Sequence, residues 1–139
     1  MRPYKILPHT AEIALEVRGK DLADLFRNAA LGLLKLYGLE NRGGMTSEEL
    51  TIRVKSSTAE SLLVHWLTEV VYLVQTRNYL PLKFEFPRAQ ETDLVVRLHG
   101  HTFDPQRVRL SREIKAVTYH RLKIMRDRDH LKSELVIDV

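Results

Sequence analysis

Apolar residues recur at every third or fourth position in two segments of the chain, and this spacing predicts two amphipathic helices. The first is expected to begin after Asp21, whose carboxylate can cap it, and to end at Gly38. The second is expected to begin at the capping-box pattern Ser57-Thr58-Ala59-Glu60 and to end between Asn78 and Pro81. The apolar positions are Leu22, Leu25, Phe26, Ala29, Leu33 and Leu36 in the first helix, and Leu63, Trp66, Leu67, Val70, Val71 and Val74 in the second.

Most of the remaining chain alternates between apolar and polar residues, which is typical of strands with one buried face. Such alternation favours antiparallel sheets over parallel ones. We therefore predict an α+β fold in which two helices pack on antiparallel sheet, with residues 1–139 forming a single domain. The predicted inward-facing residues are Ile13, Leu15 and Val17; Leu50, Ile52 and Val54; Leu82, Phe84 and Phe86; Leu94, Val96 and Leu98; Val108 and Leu110; and Leu135, Ile137 and Val139, with a further long strand from Ile114 to Met125.

Composition narrows the classes to which the chain can belong. Its 139 residues are 44% hydrophobic, which is enough apolar surface to form a core and excludes a disordered chain. Cysteine is absent, so there is no disulfide, no thiolate zinc site and no cysteine nucleophile. The longest apolar stretches are too short to span a bilayer, and the start MRPYKILPHTAE has no continuous apolar stretch of a signal peptide. We expect a cytoplasmic protein with no membrane partner.

The charge of the chain is mildly positive and unevenly distributed. There are 22 basic and 18 acidic residues, a net charge of +4, and residues 101–139 hold nine of the basic and six of the acidic ones. Basic and acidic residues are interspersed and polybasic runs are missing. This pattern predicts weak or no direct binding to nucleic acid.

The sequence motifs of common enzyme classes are missing from the chain. It has no phosphate-binding glycine loop, no dinucleotide fingerprint, no H-E-x-x-H zinc motif and no G-x-S-x-G nucleophile motif. We therefore predict no catalytic residues. One local pattern, His99-Gly100-His101, places two imidazoles on the same side of a strand, where they form either a partial metal site or a solvated pair.

The two ends of the chain offer a different kind of site. Glu12 begins the first apolar strand, and Asp138 is followed by Val139, the last residue of the sequence, with its terminal carboxylate. If the last strand pairs near the first, these three anionic groups gather and repel one another unless a cation neutralises them. Oxygen ligands select a hard ion, Ca²⁺ or Mg²⁺, rather than zinc. The alternative is an exposed glutamate and a frayed terminus.

Three segments together resemble the archease family. They are His9-Thr10-Ala11-Glu12-Ile13 with the helix that follows it, the segment Glu60 to Leu67, and above all Ile114-Lys115-Ala116-Val117-Thr118-Tyr119-His120. The resemblance extends over essentially the whole chain. It implies a small protein without catalytic activity that activates the RtcB-type tRNA-splicing RNA ligase, promotes its guanylylation and multiple turnover, and broadens the nucleotide triphosphates it accepts.

The resemblance also implies a Ca²⁺ site formed by the acid of the N-terminal motif and the last two residues of the chain. These are Glu12, Asp138 and Val139, the same group that the electrostatic argument identifies. His9, Lys115 and His120 are candidates for supporting the site or docking the ligase. The chain departs from the family pattern at Glu12, where aspartate is usual, and the extra methylene moves the carboxylate by about 1.5 Å.

Two other functions are compatible with the sequence. The first is a stand-alone RNA-binding module, or RNA-processing chaperone, that contacts the RNA backbone through Arg107, Arg109, Arg112, Arg126 and Arg128. The second is a small hydrolase that uses Glu12 and Asp138 as a carboxylate pair. The ligase activator needs neither a nucleophile nor tight RNA binding, and its contact with tRNA is indirect.

Overall fold

A computed structural model describes residues 2–8, 12–41 and 43–139. Within these residues there are two helices and ten strands, and the predicted α+β class with antiparallel sheets is confirmed. The helices are α1 (Leu22–Leu36) and α2 (Ala59–Gln75). The strands are β1 (Tyr4–Pro8), β2 (Glu12–Gly19), β3 (Glu40–Asn41), β4 (Met45–Lys55), β5 (Tyr79–Ala89), β6 (Asp93–Phe103), β7 (Val108–Arg109), β8 (Ala116–Thr118), β9 (Met125–Asp127) and β10 (His130–Asp138).

The strands form two main antiparallel sheets and one short pair. The first sheet has the order β1-β2-β10-β8, with β9 also paired to β10, and the second has the order β4-β6-β5. The strands β3 and β7 form the short pair. Helix α1 packs mainly on β2, while α2 packs on β4, β5 and β8, so the helices lie between the two main sheets. The core is one continuous cluster of buried side chains from both sheets and both helices.

Helix α1 begins as its capping signals predict. The Asp21 side chain accepts a hydrogen bond from the Asp24 backbone N–H at 2.8 Å, and the Asp24 carboxylate accepts one from Lys20 at 2.9 Å. A Cβ on Gly19 would lie 2.3 Å from the Leu25 backbone nitrogen, so a glycine there allows the first turn of α1 to approach β2 closely. The helix therefore starts against the strand that precedes it.

Helix α2 is held to its neighbours by one buried aromatic residue. The Trp66 indole N–H donates to the Phe26 carbonyl of α1 at 2.9 Å, and its ring packs edge-on against Phe84 of β5 at 6.0 Å. Trp66 thus buries its large apolar ring while its indole N–H keeps a hydrogen-bond partner. The predicted cap was wrong by one residue, because Thr58 rather than Ser57 accepts the backbone hydrogen bond from Ser61.

The predicted long strand from Ile114 to Met125 is wrong, since only Ala116–Thr118 is a strand before β9 begins. The two ends of this segment hydrogen-bond to side chains of α2 rather than to a neighbouring strand. Gln75 pairs with both backbone groups of Ile114, and Glu60 accepts from the Ile124 backbone N–H at 3.1 Å. Glu60, expected to complete a capping box, is used for this long-range contact instead.

The strand β5 departs from simple alternation. Its pairing with β6 shifts between Pro81 and Lys83, which is the signature of a β-bulge. Because of this shift, Leu82 is 53% exposed, although period-two spacing placed it on the inner face with Phe84.

The described part of the chain contains no helix both long and apolar enough to cross a lipid bilayer.

Candidate functional site at the shared end of β2 and β10

The strands β2 and β10 bring Glu12, at the start of β2, next to Asp138, at the end of β10. They pair antiparallel, with Ile137 opposite Ile13 and Asp138 opposite Glu12. Residues directly opposite in such a ladder have Cα atoms about 4.5–5.5 Å apart and side chains on the same face of the sheet. Ile13 and Ile137 are buried in the core, so Glu12 and Asp138 lie on the outer face.

Glu12 and Asp138 differ from Glu16, which lies on the same face of the sheet, in their ion pairing. Glu16, further along the same face, lies 2.9 Å from the Arg18 guanidinium and 3.9 Å from the Lys132 ammonium. Within the described ranges, neither Glu12 nor Asp138 has an ion pair. Two opposed carboxylates without a counter-ion destabilise a strand pair and favour a bound cation.

The end of the chain is held in place by its own contacts. The Lys115 backbone N–H donates to the Asp138 carbonyl at 2.8 Å, and Ala116 pairs with Asp138 across the ladder. The Val139 side chain packs against the hydrophobic core. Asp138 is therefore held opposite Glu12 by its pairing with both β2 and β8.

The donor set suits a hard cation. The side chains of Glu12 and Asp138 and the carboxylate of Val139 supply only oxygen, which Ca²⁺ accepts in a flexible geometry and Mg²⁺ in a stricter one. No cluster of three or more His, Cys, Asp or Glu side chains suited to a metal occurs in residues 2–8, 12–41 and 43–139. A metal held here would therefore need oxygen ligands beyond the Glu12 and Asp138 side chains.

Lys115 and His120, two of the other predicted site residues, lie in different places relative to Asp138. Lys115 lies beside Asp138, with its side chain exposed. His120 lies two residues beyond the end of β8 that faces away from Asp138, because β8 runs antiparallel to β10. His9 lies outside the described residues, so its position relative to Glu12 stays a prediction.

The His99 and His101 imidazoles share one shallow cavity of about 390 Å³, as the strand spacing predicts. His99 donates from Nε2 to Glu85 Oε1 at 2.7 Å, and its Nδ1 lies 3.6 Å from the Glu49 carboxylate. This hydrogen bond, more than the neighbouring Arg97, holds the pKa of the Glu85 carboxyl below its ordinary value. His99 therefore links the Glu49 and Glu85 carboxylates on the outer face of the second sheet.

The five arginines proposed for RNA contact do not form one surface. Arg107 and Arg109 line a cavity of about 370 Å³ beside the end of α2. Arg126 lines a groove by β9 and β10, and Arg128 lies at the tip of that hairpin. Arg121, Lys123 and Lys132 share the groove with Arg126 and with the carboxylates of Asp127 and Glu134. The sequence did not indicate this grouping, because residues on different strands give no local signal.

Comparison with known proteins agrees with this fold and with the family resemblance. The archease protein family matches residues 4–139. The chain is 32% identical to the archease of Methanosarcina barkeri, covering 99% of this chain and 97% of that protein. It is 30% identical to the archease of Pyrococcus furiosus, with both chains covered completely, at 100% each.

Two solved structures of similar proteins share this fold. A Thermotoga maritima protein, described as an archease and possible chaperone, superposes with a TM-score of 0.69 at 26% identity, covering 97% of this chain and 96% of its own. A solution structure from Methanobacterium thermoautotrophicum has a TM-score of 0.68 at 24% identity with full coverage, 100% of each chain, and supports the fold alone. From the family match over residues 4–139 and the shared fold, we conclude that this chain belongs to the archease family.

Proposed function

We propose that this chain is an activator of an RtcB-type tRNA-splicing RNA ligase, and that it acts through the acidic end formed by Glu12, Asp138 and Val139. The observation that carries the proposal is the pairing of Glu12 with Asp138 at the end of the β2–β10 ladder. A role with a protein partner is also consistent with the description of the Thermotoga relative as a possible chaperone. The expected effect is faster guanylylation of the ligase, more turnovers for each ligase molecule, and use of a wider range of nucleotide triphosphates.

In this proposal, the chain's residues hold and present charge rather than break bonds. Glu12 and Asp138 sit opposite each other on a sheet face, and the β8 pairing fixes Asp138. Ca²⁺, when bound there, supplies positive charge that offsets the carboxylates and can accept further oxygen ligands from a partner. Lys115, exposed beside Asp138, would contact an anionic group of that partner.

The proposal predicts that the outer end of the first sheet meets the ligase near its nucleotide pocket. The contact would stabilise the ligase conformation that accepts GMP, because a ligand shifts a conformational equilibrium only by its differential affinity for the two states. The ligase would contribute the reacting histidine and its own metal. Contact with tRNA is then made by the ligase, and this chain affects it indirectly.

The experiment is a guanylylation and turnover assay of a matching ligase with radiolabelled GTP. We expect the intact protein, added with Ca²⁺, to raise both the rate of guanylylation and the number of joined RNA products per ligase. Glu12→Gln and Asp138→Asn should each lose most of this effect. Glu134→Gln is the matched control, because Glu134 has the same charge on the same face of β10. Equal activation by all four proteins would reject the acidic end as the site of action, and no activation by the intact protein would reject the function.

A further inference from the structure

The second sheet has an open edge along β4. Within residues 2–8, 12–41 and 43–139, β6 is the only strand that pairs with β4, and no loop backbone hydrogen-bonds to residues 46–54. All eleven residues of β4 pair with β6 in one uninterrupted register. In an antiparallel ladder the N–H and C=O groups of alternate residues point away from the paired strand. Along β4 these groups are therefore available to a further strand.

The other edges of the two main sheets carry features that discourage strand pairing. The strand β5 contains Pro81 and Pro87, which lack an N–H, and its pairing with β6 shifts register twice. The strand β1 has five residues and ends at Pro8, while β8 and β9 have three residues each. By contrast, β4 is long, continuous and without proline. It is therefore the edge best suited to accept another strand.

The inner face of β4 leaves apolar side chains only half covered. Leu50 and Ile52 are partly buried, whereas the β6 residues opposite them, Leu98 and Val96, are fully buried. Leu50 and Ile52 pack against the core but lie at its rim. A strand added along β4 would remove this apolar surface from water, and that burial favours association.

We propose that two copies of this chain pair through β4 about a two-fold axis at Ile52. The pairing joins the second sheet of each copy into one antiparallel sheet of six strands. Ile52 then lies opposite Ile52 of the second copy, and Leu50 lies opposite Val54. All of these side chains are on the inner face, so the two cores meet through apolar contacts. The same surface serves both copies, as a two-fold interface requires.

The charges on the outer face of β4 match this axis. Glu49 and Lys55 lie at equal distances on either side of Ile52, so the axis places each of them opposite the other and forms two equivalent ion pairs. Among the described residues Lys55 has no ion pair within 4 Å, and the basic side chains nearest to Glu49 are His99 at 3.6 Å and Arg97 at 3.7 Å. Opposite charges that face each other across two strands stabilise the pair.

The neighbouring registers fit less well. An axis at Thr51 would place the carboxylate of Glu48 against the apolar side chain of Val54, at the cost of removing its water. An axis at Arg53 would put two guanidinium groups side by side, although each already makes two hydrogen bonds to Asp93, at 2.8 and 3.0 Å. The axis at Ile52 is therefore the register in which both faces of β4 are complementary to themselves.

The proposed interface is separate from the acidic end. It lies on the second sheet, whereas Glu12 and Asp138 lie on the first. The inference therefore goes beyond the ligase role and does not depend on it. Seven residues of each copy would be paired, which buries less than the standard interface of about 1,600 Å². We accordingly expect a weak dimer whose population rises with protein concentration.

The first test is sedimentation equilibrium of the full chain from about 10 µM to about 1 mM. We expect the parent to pass from monomer to dimer over this range. Glu49→Lys sets a lysine against Lys55 at two places and should raise the dissociation constant at least about tenfold. The double variant Glu49→Lys, Lys55→Glu exchanges the two charges and should restore the constant to within about threefold of the parent.

Two control variants accompany this measurement. Glu69→Lys makes the same charge change at an exposed glutamate of α2, and it should dimerise as the parent does. Glu12→Gln should also dimerise as the parent does, which separates this proposal from the ligase role.

Cysteine cross-linking tests the register. The chain contains no cysteine, so a single introduced thiol reports a single contact. Ile52→Cys places two thiols opposite each other, with Cα atoms about 4.5–5.5 Å apart, so mild oxidation should give a covalent dimer. Thr46→Cys is the matched control on the same face of β4, where the two copies would be about 40 Å apart and should not join. If Ile52→Cys does not fold, an equal mixture of Thr51→Cys and Arg53→Cys should give mainly the mixed disulfide.

Three results would overturn the proposal. The first is a parent that stays monomeric at about 1 mM. The second is a Thr46→Cys variant that cross-links as readily as Ile52→Cys, which would show that the copies do not meet in this register. The third concerns a synthetic peptide of residues 47–57, which should dissociate the dimer. Equal dissociation by a peptide of the same composition in scrambled order would assign the edge to any extended segment rather than to a second copy.

Discussion

Calcium should stabilise this fold, and the size of the effect follows from the saturation of the site and the length of the chain. A Ca²⁺ ion held by Glu12, Asp138 and Val139 would join the start of β2 to the end of β10, an arrangement that the unfolded chain lacks. An ion at one hundred times its dissociation constant stabilises the folded state by about 2.7 kcal/mol. Unfolding entropy of about 2.1 cal/mol/K per residue gives about 0.29 kcal/mol/K for a chain of 139 residues, so Tm should rise by about 9 °C.

The assay is differential scanning calorimetry at pH 7, first in EDTA and then in millimolar CaCl₂. Glu12→Gln should raise Tm slightly in EDTA, since it removes a like-charge pair worth about 0.2–1 kcal/mol, and it should lose most of the calcium shift. Asp138→Asn should behave in the same way, while Glu134→Gln keeps the full shift. Mg²⁺ should give a smaller shift than Ca²⁺ because it requires stricter geometry. Equal calcium shifts in all four proteins, or none in the parent, would refute the site.

Three further predictions concern the scaffold. Trp66→Phe removes the indole donor and leaves the Phe26 carbonyl with its helical hydrogen bond alone, and the smaller ring leaves a void, so urea unfolding should show a loss of about 1–2 kcal/mol. Burial raises the pKa of Tyr79 to about 12 from its ordinary 10. Its contribution to stability is therefore full below pH 10 and is lost as pH rises through 12. Tyr79→Phe should flatten the dependence of stability on pH in that window. A Cβ on Gly100 would lie 2.2 Å from the Leu80 carbonyl oxygen, so Gly100→Ala should lower Tm or abolish folding, as circular dichroism would show.

The helices were predictable because their signals are local. Asp21 caps α1 as the sequence indicated, and the apolar stripe of each helix is buried as the spacing required. Local signals were misleading where a distant partner competes for a backbone or side-chain group. Glu60 looked like half of a capping box, but it accepts from Ile124, which is 64 residues away. No window around Glu60 contains that information.

Part of the candidate site was predictable from the sequence, and part was not. The sequence indicated that the acidic groups at the chain ends would need a cation, and the archease resemblance pointed to the same residues. The structure adds that Asp138 lies opposite Glu12, that Lys115 adjoins them, and that His120 does not. The groove beside β9 and β10 was not foreseen, because the charged residues that line it come from a turn, a loop and two strands.

Sequence alone determined which segments are helices, which faces of most strands are apolar, and which oxygen-bearing groups stand at the two ends of the chain. These properties depend on side-chain periodicity and on neighbours within a few residues. Only the tertiary structure decided the strand register, the bulge that exposes Leu82, and the pairing of Glu12 with Asp138. Register depends on the packing of the whole core, since a shift of one residue would turn every buried side chain of β10 to the outer face.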